Sequence, residues 1–211
     1  MAAKALAARG RLDADGRPVL RITPRELLLT LLDIDARCFV IPAHAWTPWY
    51  GVYGSKSGFN SLDECFGDAA EHVYAIETGL SSDPAMNWQV PELDTRSIVS
   101  FSDAHSMQKM GRELTVFDGE LTYDGLVDAL RTQSIVYTVE FFPEGEKYHH
   151  SGHRKCGVSY TPEDVAANGR RCPKCSRPLT LGVMQRVDEL AARDSLSTWT
   201  DEDGLTRGTD N

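Results

Sequence analysis

Ser97-Ile-Val-Ser-Phe-Ser-Asp-Ala-His105 is the stretch on which the fold turns. A short, largely apolar run passes directly into an aspartate and a histidine, as a buried strand does where it emerges into a loop. Two earlier stretches have the same form: His72-Val-Tyr-Ala-Ile76 ends at Glu77, and Cys38-Phe-Val-Ile-Pro42 ends at Ala43-His44. The three runs lie roughly thirty residues apart, the length of a strand–helix–strand crossover, so they predict successive units of a parallel sheet. Strands of such a sheet bury both faces, and none of these runs alternates cleanly between polar and apolar residues.

The segments around them read as helices and loops. Met1 to Arg9 predicts a short helix, and Asp13 to Pro18 a turn. Thr23-Pro24 opens a helix, with Thr23 as cap and Pro24 at its first position. Trp46 to about Asn60 is a long loop, and Ser61-Leu-Asp-Glu64 is a capping-box pattern that starts a helix to about Glu71. Thr78 to Pro84 is a second loop. Further on, Leu121 to Arg131 predicts a helix, Ser134 to Phe142 a strand, and Leu181 to Arg193 a helix. The polar stretch from Ser195 to Asn211 predicts a disordered tail.

Composition narrows the class. The 211 residues are 41% hydrophobic and 25% charged, with a formal net charge of −9. That is ordinary for a chain able to bury a core. It argues against a protein that coats nucleic acid by bulk electrostatics. No apolar run approaches the roughly 20 residues that span a bilayer, and the start lacks a signal-peptide pattern, so no membrane partner is expected. The five cysteines complete no disulfide framework, which suits a reducing, cytoplasmic setting. The charge is uneven: from Lys147 to Arg186 the acids are Glu163 and Asp164 alone, against many lysines and arginines.

His44, Glu77, Asp103 and His105 all fall at C-terminal ends of the predicted parallel strands. In closed barrels that edge gathers catalytic groups, because the strands fix their positions and the following loops shape a pocket. Two imidazoles and two carboxylates suit zinc, manganese or iron, ions that turn bound water into a hydroxide nucleophile and clamp phosphate oxygens. Taken singly, a histidine after a strand is more often a hydrogen-bonded loop residue. In the loops, Trp46, Trp49 and Tyr50 are candidates for stacking on a base, or else core. Lys56, in Gly54-Ser-Lys-Ser-Gly58, reads as a phosphate contact or a solvated turn, and Arg112 as a phosphate contact or a surface pair.

His153-x-x-Cys156 and Cys172-x-x-Cys175 form two turns that each aim two ligands at one point, completing a tetrahedral shell for a structural zinc. The alternatives are ordinary buried cysteines or a redox pair, with His149 and His150 as competing donors. Arg154, Arg171 and Lys174 lie in the same module as candidate DNA contacts. Cys38 and Cys65 read as core residues.

Longer motifs then carry a resemblance. Ile41-Pro-Ala-His-Ala-Trp-Thr-Pro-Trp49, Gly54-Ser-Lys-Ser-Gly-Phe59, Ile76-Glu-Thr-Gly-Leu-Ser-Ser-Asp-Pro84, Ser102-Asp-Ala-His-Ser106, Glu140-Phe-Phe-Pro143, Gly152-His-Arg-Lys-Cys156 and Pro178-Leu-Thr-Leu-Gly-Val183 resemble endonuclease Q. That family belongs to the polymerase-and-histidinol-phosphatase superfamily of metal hydrolases. The resemblance implies an α/β fold, a partial seven-stranded (β/α) barrel over 1–132, followed by a zinc-ribbon-like module over 133–194 and the tail over 195–211. It implies cleavage of damaged DNA on the 5′ side of uracil, hypoxanthine or abasic sites, with zinc, manganese or magnesium at His44, Glu77, Asp103 and His105. The family's His-x-His motif has no counterpart before Thr23, and Gln185 stands where its pattern has a histidine. The chain therefore reads as truncated at both ends, with a second chain as a possible supplier of the N-terminal barrel half. A non-catalytic zinc-binding interaction module and a related phosphoesterase are the competing readings.

Overall fold

A computed structural model describes residues 2–13, 19–193 and 198–208. The predicted turn at 13–18 falls largely outside them. Helix α1 (Ala2–Ala7) leads into an antiparallel pair, β1 (Gly10–Arg11) with β2 (Val19–Leu20). Helix α2 (Pro24–Ile34) starts as its sequence dictates. The Thr23 hydroxyl accepts from the Glu26 N–H at 3.2 Å, and the Glu26 carboxylate accepts from the Thr23 N–H at 2.8 Å. The helix predicted from Ser61 exists in two pieces, α3 (Leu62–Phe66) and a 3₁₀ turn (Gly67–His72). Gly67, at φ 56°, makes the break between them.

The parallel sheet is present but small. Strand β3 (Ala75–Glu77) pairs in parallel with β4 (Ser97–Val99), with helix α4 (Pro84–Asn87) in the crossover. Its neighbouring side chains face opposite layers. Ile76 and Ile98 join a core with Leu28, Trp46, Leu62 and Phe66, while Ala75 and Val99 pack with Leu130, Phe39 and Phe117. Each large apolar side chain removed from water in these layers contributes about 1.5–3 kcal/mol.

Two strand expectations need correction. Cys38–Pro42 is not a strand: its one bond toward β3 runs from the Glu77 N–H to the Pro42 carbonyl at 3.2 Å. Pro42 has no N–H to donate, so a ladder cannot propagate through it. Nor does the sheet close into a barrel among the described residues. Past Val99 the Thr115 hydroxyl takes the place of a strand neighbour, donating to the Ser100 carbonyl at 2.9 Å and accepting from its N–H at 2.8 Å.

Strand β5 (Leu114–Phe117) forms an antiparallel pair with β6 (Ile135–Val139), joined by α5 (Tyr123–Thr132). Strands β7 (Ser151–His153) and β8 (Val158–Tyr160) make the next pair, followed by α6 (Pro162–Asn168) and α7 (Val183–Leu190). Helix α7 is not peripheral, since Val183 and Val187 belong to the same core as Leu28. The tail expectation also needs correction. Residues 198–208 hold a hairpin of β9 (Trp199–Thr200) and β10 (Thr206–Arg207), whose Gly208 lies against Trp88, while 195–197 and 209–211 are outside the described residues.

Candidate functional site

The sheet rim is built around Glu77. The end of β3 places its carboxylate between two loops, where it accepts from the backbone N–H of His44 and, at 3.3 Å, from that of Phe101. One buried acid thereby ties the His44 loop to the segment leading to Asp103. Burial raises the Glu77 carboxyl above its usual range, against the pull of those N–H groups. Both flanking residues have left-handed backbones, His44 at φ 36° and Asp103 at φ 42°. Non-glycine residues reach that region at a cost and concentrate at functional sites. Close packing enforces it at His44: a Cβ on Gly79 would lie 2.4 Å from the His44 Cα. The Thr47 hydroxyl lies 3.1 Å from the His44 Nδ1 and fixes the ring.

Asp103 and His105 are half-exposed, with the His105 Nδ1 at 2.9 Å from the Asp103 carbonyl. Glu77 thus joins the His44 loop to the segment that leads to Asp103 and His105. The four side chains are not gathered as the His–Cys₃ ligand atoms are, the one group of three or more such ligands among the described residues.

Two acids with sheltered carboxylates were not among the candidate site residues. Glu113 accepts from the N–H of Phe141 at 3.0 Å and of Leu80 at 3.2 Å, and from the Ser100 hydroxyl at 3.1 Å. Glu140 keeps both oxygens out of solvent without a hydrogen-bond partner among the described residues. Its carboxyl is pushed up to about 8, chiefly by burial, opposed by the Thr138 hydroxyl and reinforced by Glu113, Asp83 and Glu77. The available signal was position: Glu77 ends a strand and Glu140 directly follows one.

The aromatic and basic candidates divide. Trp46 is a correction: it is fully buried, stacked on Tyr53 at 4.6 Å and donating to Asn87 at 2.8 Å, so no base can reach it. Trp49 and Tyr50 are exposed, as is Lys56. Arg112 donates to the Ser102 carbonyl at 2.7 Å and so braces the Asp103 loop from within the chain. Arg154 is exposed, whereas Arg171 and Lys174 donate to the carbonyls of Ser176 and Cys156 at 2.9 and 2.8 Å.

The metal-type cluster is His153, Cys156, Cys172 and Cys175, whose ligand atoms all lie within 4.8 Å of one another. His153 comes from the end of β7, Cys156 from the next turn, and the Cys172–Cys175 turn returns beside them. His149, a competitor for this place, is buried elsewhere with its Nδ1 unpartnered, and burial holds its imidazole below the usual range. The Cys156 thiol is pushed up to about 11, first by the adjacent Cys175 and then by burial. Three thiols so placed repel one another as thiolates, and a soft divalent cation removes that conflict, so the donor set fits zinc.

A small α/β sheet with acids and imidazoles near its rim, fused to a His–Cys₃ metal module, is consistent with a domain of the polymerase-and-histidinol-phosphatase type followed by a metal module. More narrowly, the chain is a structural homologue of the endonuclease Q family. It is similar to the lesion-specific endonuclease PfuEndoQ of Pyrococcus furiosus, at 28% identity and a TM-score of 0.77, over 92% of this chain and 48% of that one. It is equally similar to endonuclease Q in complex with a 27-mer duplex bearing an abasic lesion, at 28% identity and a TM-score of 0.77, over 91% and 49% of the two chains. Among curated proteins it matches MJ0043 of Methanocaldococcus jannaschii, 30% identical over 70% of this chain and 19% of the relative. It also matches YqxK of Bacillus subtilis, 34% identical over 72% of this chain and 38% of the relative. The chain therefore spans about half the length of the solved structures and less of the curated relatives. No protein-family model matches it.

Proposed function

We propose that this chain carries part of a metal-dependent DNA-repair endonuclease, one that cuts damaged DNA on the 5′ side of a deaminated base or an abasic site. The observation that carries the reading is the rim itself, where Glu77 joins the His44 loop to the Asp103 segment and both residues are held in left-handed backbone. The likeness to endonuclease Q over nine-tenths of the chain supports the same chemistry. His44, Glu77, Asp103 and His105 would hold the ions, which supply Lewis acidity and a hydroxide nucleophile when bound. The chain's own part is positional: Thr47 orients the His44 imidazole and Arg112 fixes the Ser102–Asp103 turn. Exposed Trp49 and Tyr50, on the loop that follows His44, would offer stacking faces to an unstacked base.

The test incubates manganese-loaded chain with labelled duplexes that contain one deoxyuridine, one abasic site or no lesion. A nick on the 5′ side of the lesion, lost in Asp103→Asn and His44→Ala, supports the assignment. Equal treatment of all three duplexes, in both incision and binding, overturns it. The His–Cys₃ cluster is the one described group of three or more metal-type ligands. Ligand atoms gathered within 4.8 Å of one another, fit for one ion, favour the second reading, a zinc module that binds DNA without cutting it.

A further inference from the structure

A cleft of about 250 Å³ lies between the Trp49 loop and the metal module, with none of His44, Glu77, Asp103 and His105 in its lining. Trp49, Lys147, Tyr148, Arg154, Lys155 and Arg177 contribute its walls. Tyr148 is the centre: the Lys147 ammonium lies 4.8 Å and the Arg154 guanidinium 5.1 Å from its ring, while Trp49 meets it edge-on at 5.5 Å. None of the four cations is in an ion pair with a carboxylate among the described residues. Nearby Arg170 and Arg186, by contrast, are both neutralised by Glu189. A solvated basic face would scatter its charges. Here two like charges lie against one aromatic ring and two more line the same cleft, within a chain of net charge −9.

We propose that this cleft grips the sugar–phosphate backbone of a DNA strand, with Tyr148 and Trp49 receiving an unstacked base or sugar face beside it. That the polyanion is DNA rests on the nuclease reading; that the cleft takes a polyanion rests on its charges. The metal cluster builds the cleft. Arg154 and Lys155 occupy the turn whose last residue is the ligand Cys156, and His153, another ligand, lines the cleft itself. Lys174, which donates to the Cys156 carbonyl, and Arg171 brace the module and are not the gripping residues. Zinc loading and strand binding are therefore coupled.

The experiment measures fluorescence anisotropy of an undamaged, fluorescein-labelled single-stranded oligonucleotide of about 20 nucleotides. It uses the full zinc-loaded chain with no other divalent ion. The double variant Arg154→Ala with Arg177→Ala is expected to weaken binding about tenfold or more at about 50 mM salt, and to flatten the log K against log salt slope by about 1.4. Tyr148→Ala weakens binding with little change in slope, Lys4→Ala leaves it unchanged, and zinc-stripped chain loses it. The proposal is overturned if the double variant, with normal zinc content and melting temperature, binds within about twofold of the parent, or if the parent does not bind at all. Because the probe has no lesion and no catalytic ion is present, failure of the incision assay does not touch this result, nor the reverse.

Discussion

At Gly79 a single methyl group would collide with the His44 backbone, and the residue also sits at φ 58°. Gly79→Ala therefore combines overpacking with a left-handed alanine, at roughly 2–5 kcal/mol of stability. Chemical denaturation checks this, and a loss under about 1 kcal/mol would show that the loop yields easily. Glu140 offers a test with the opposite sign. Its proton is held more tightly in the folded chain, so the stabilisation is full below about 4.5 and disappears as pH rises through about 8. Glu140→Gln should melt with the parent near pH 4.5 and above it near pH 9, each tenfold change in proton affinity being worth about 1.4 kcal/mol. Thermal melts across pH read the difference, and parallel curves would contradict the burial argument. At this scale the sequence announced residue types but not their settings. The position of Glu77 and of the segment leading to Asp103 was legible because β3 and β4 end where polar residues begin, whereas His44 follows no strand. The left-handed backbone of His44 and Asp103 was not, since neither residue type announces it.

Element boundaries follow local chemistry where that chemistry is strong. Thr23 and Glu26 close a capping box that their spacing predicts, and Thr161 with Asp164 repeats it on α6. Thr23→Ala should cost about 0.5–2 kcal/mol, while Ser replaces it with little loss. A pair of unfolding curves distinguishes the two. The helix caps and the β3–β4 pairing were readable because capping and apolar runs are local signals. Strand β5 was not, since Leu114–Phe117 is short and half-exposed and gains its identity only by pairing with β6 some twenty residues away. The Cys38–Pro42 run looked like a strand by hydrophobicity, and Pro42 decided otherwise.

Across the whole molecule, the metal module and the sheet share one interior. Helix α7 places Val183 and Val187 beside Leu28, and its Arg186 donates to the carbonyls of Tyr53 and Phe59 at 3.0 and 3.2 Å. Zinc analysis should return one tightly held ion per chain, and chelation should lower the melting temperature of the entire chain in one transition rather than unfold the module alone. Calorimetry with and without chelator tests that unity; two separate transitions would refute it. The division at residue 133 drawn from sequence therefore passes through elements that pack together, and helix packing over such distances leaves no local mark in the chain. The Ser55 hydroxyl, which donates to the Leu181 carbonyl at 2.7 Å, lies next to Lys56 in the same loop that Arg186 clamps. Trypsin should thus spare the Lys56–Ser57 bond while the cysteines hold their ion and cut it soon after the ion leaves, so that one proteolytic fragment on a gel would register the occupancy of a site about a hundred residues further along the chain.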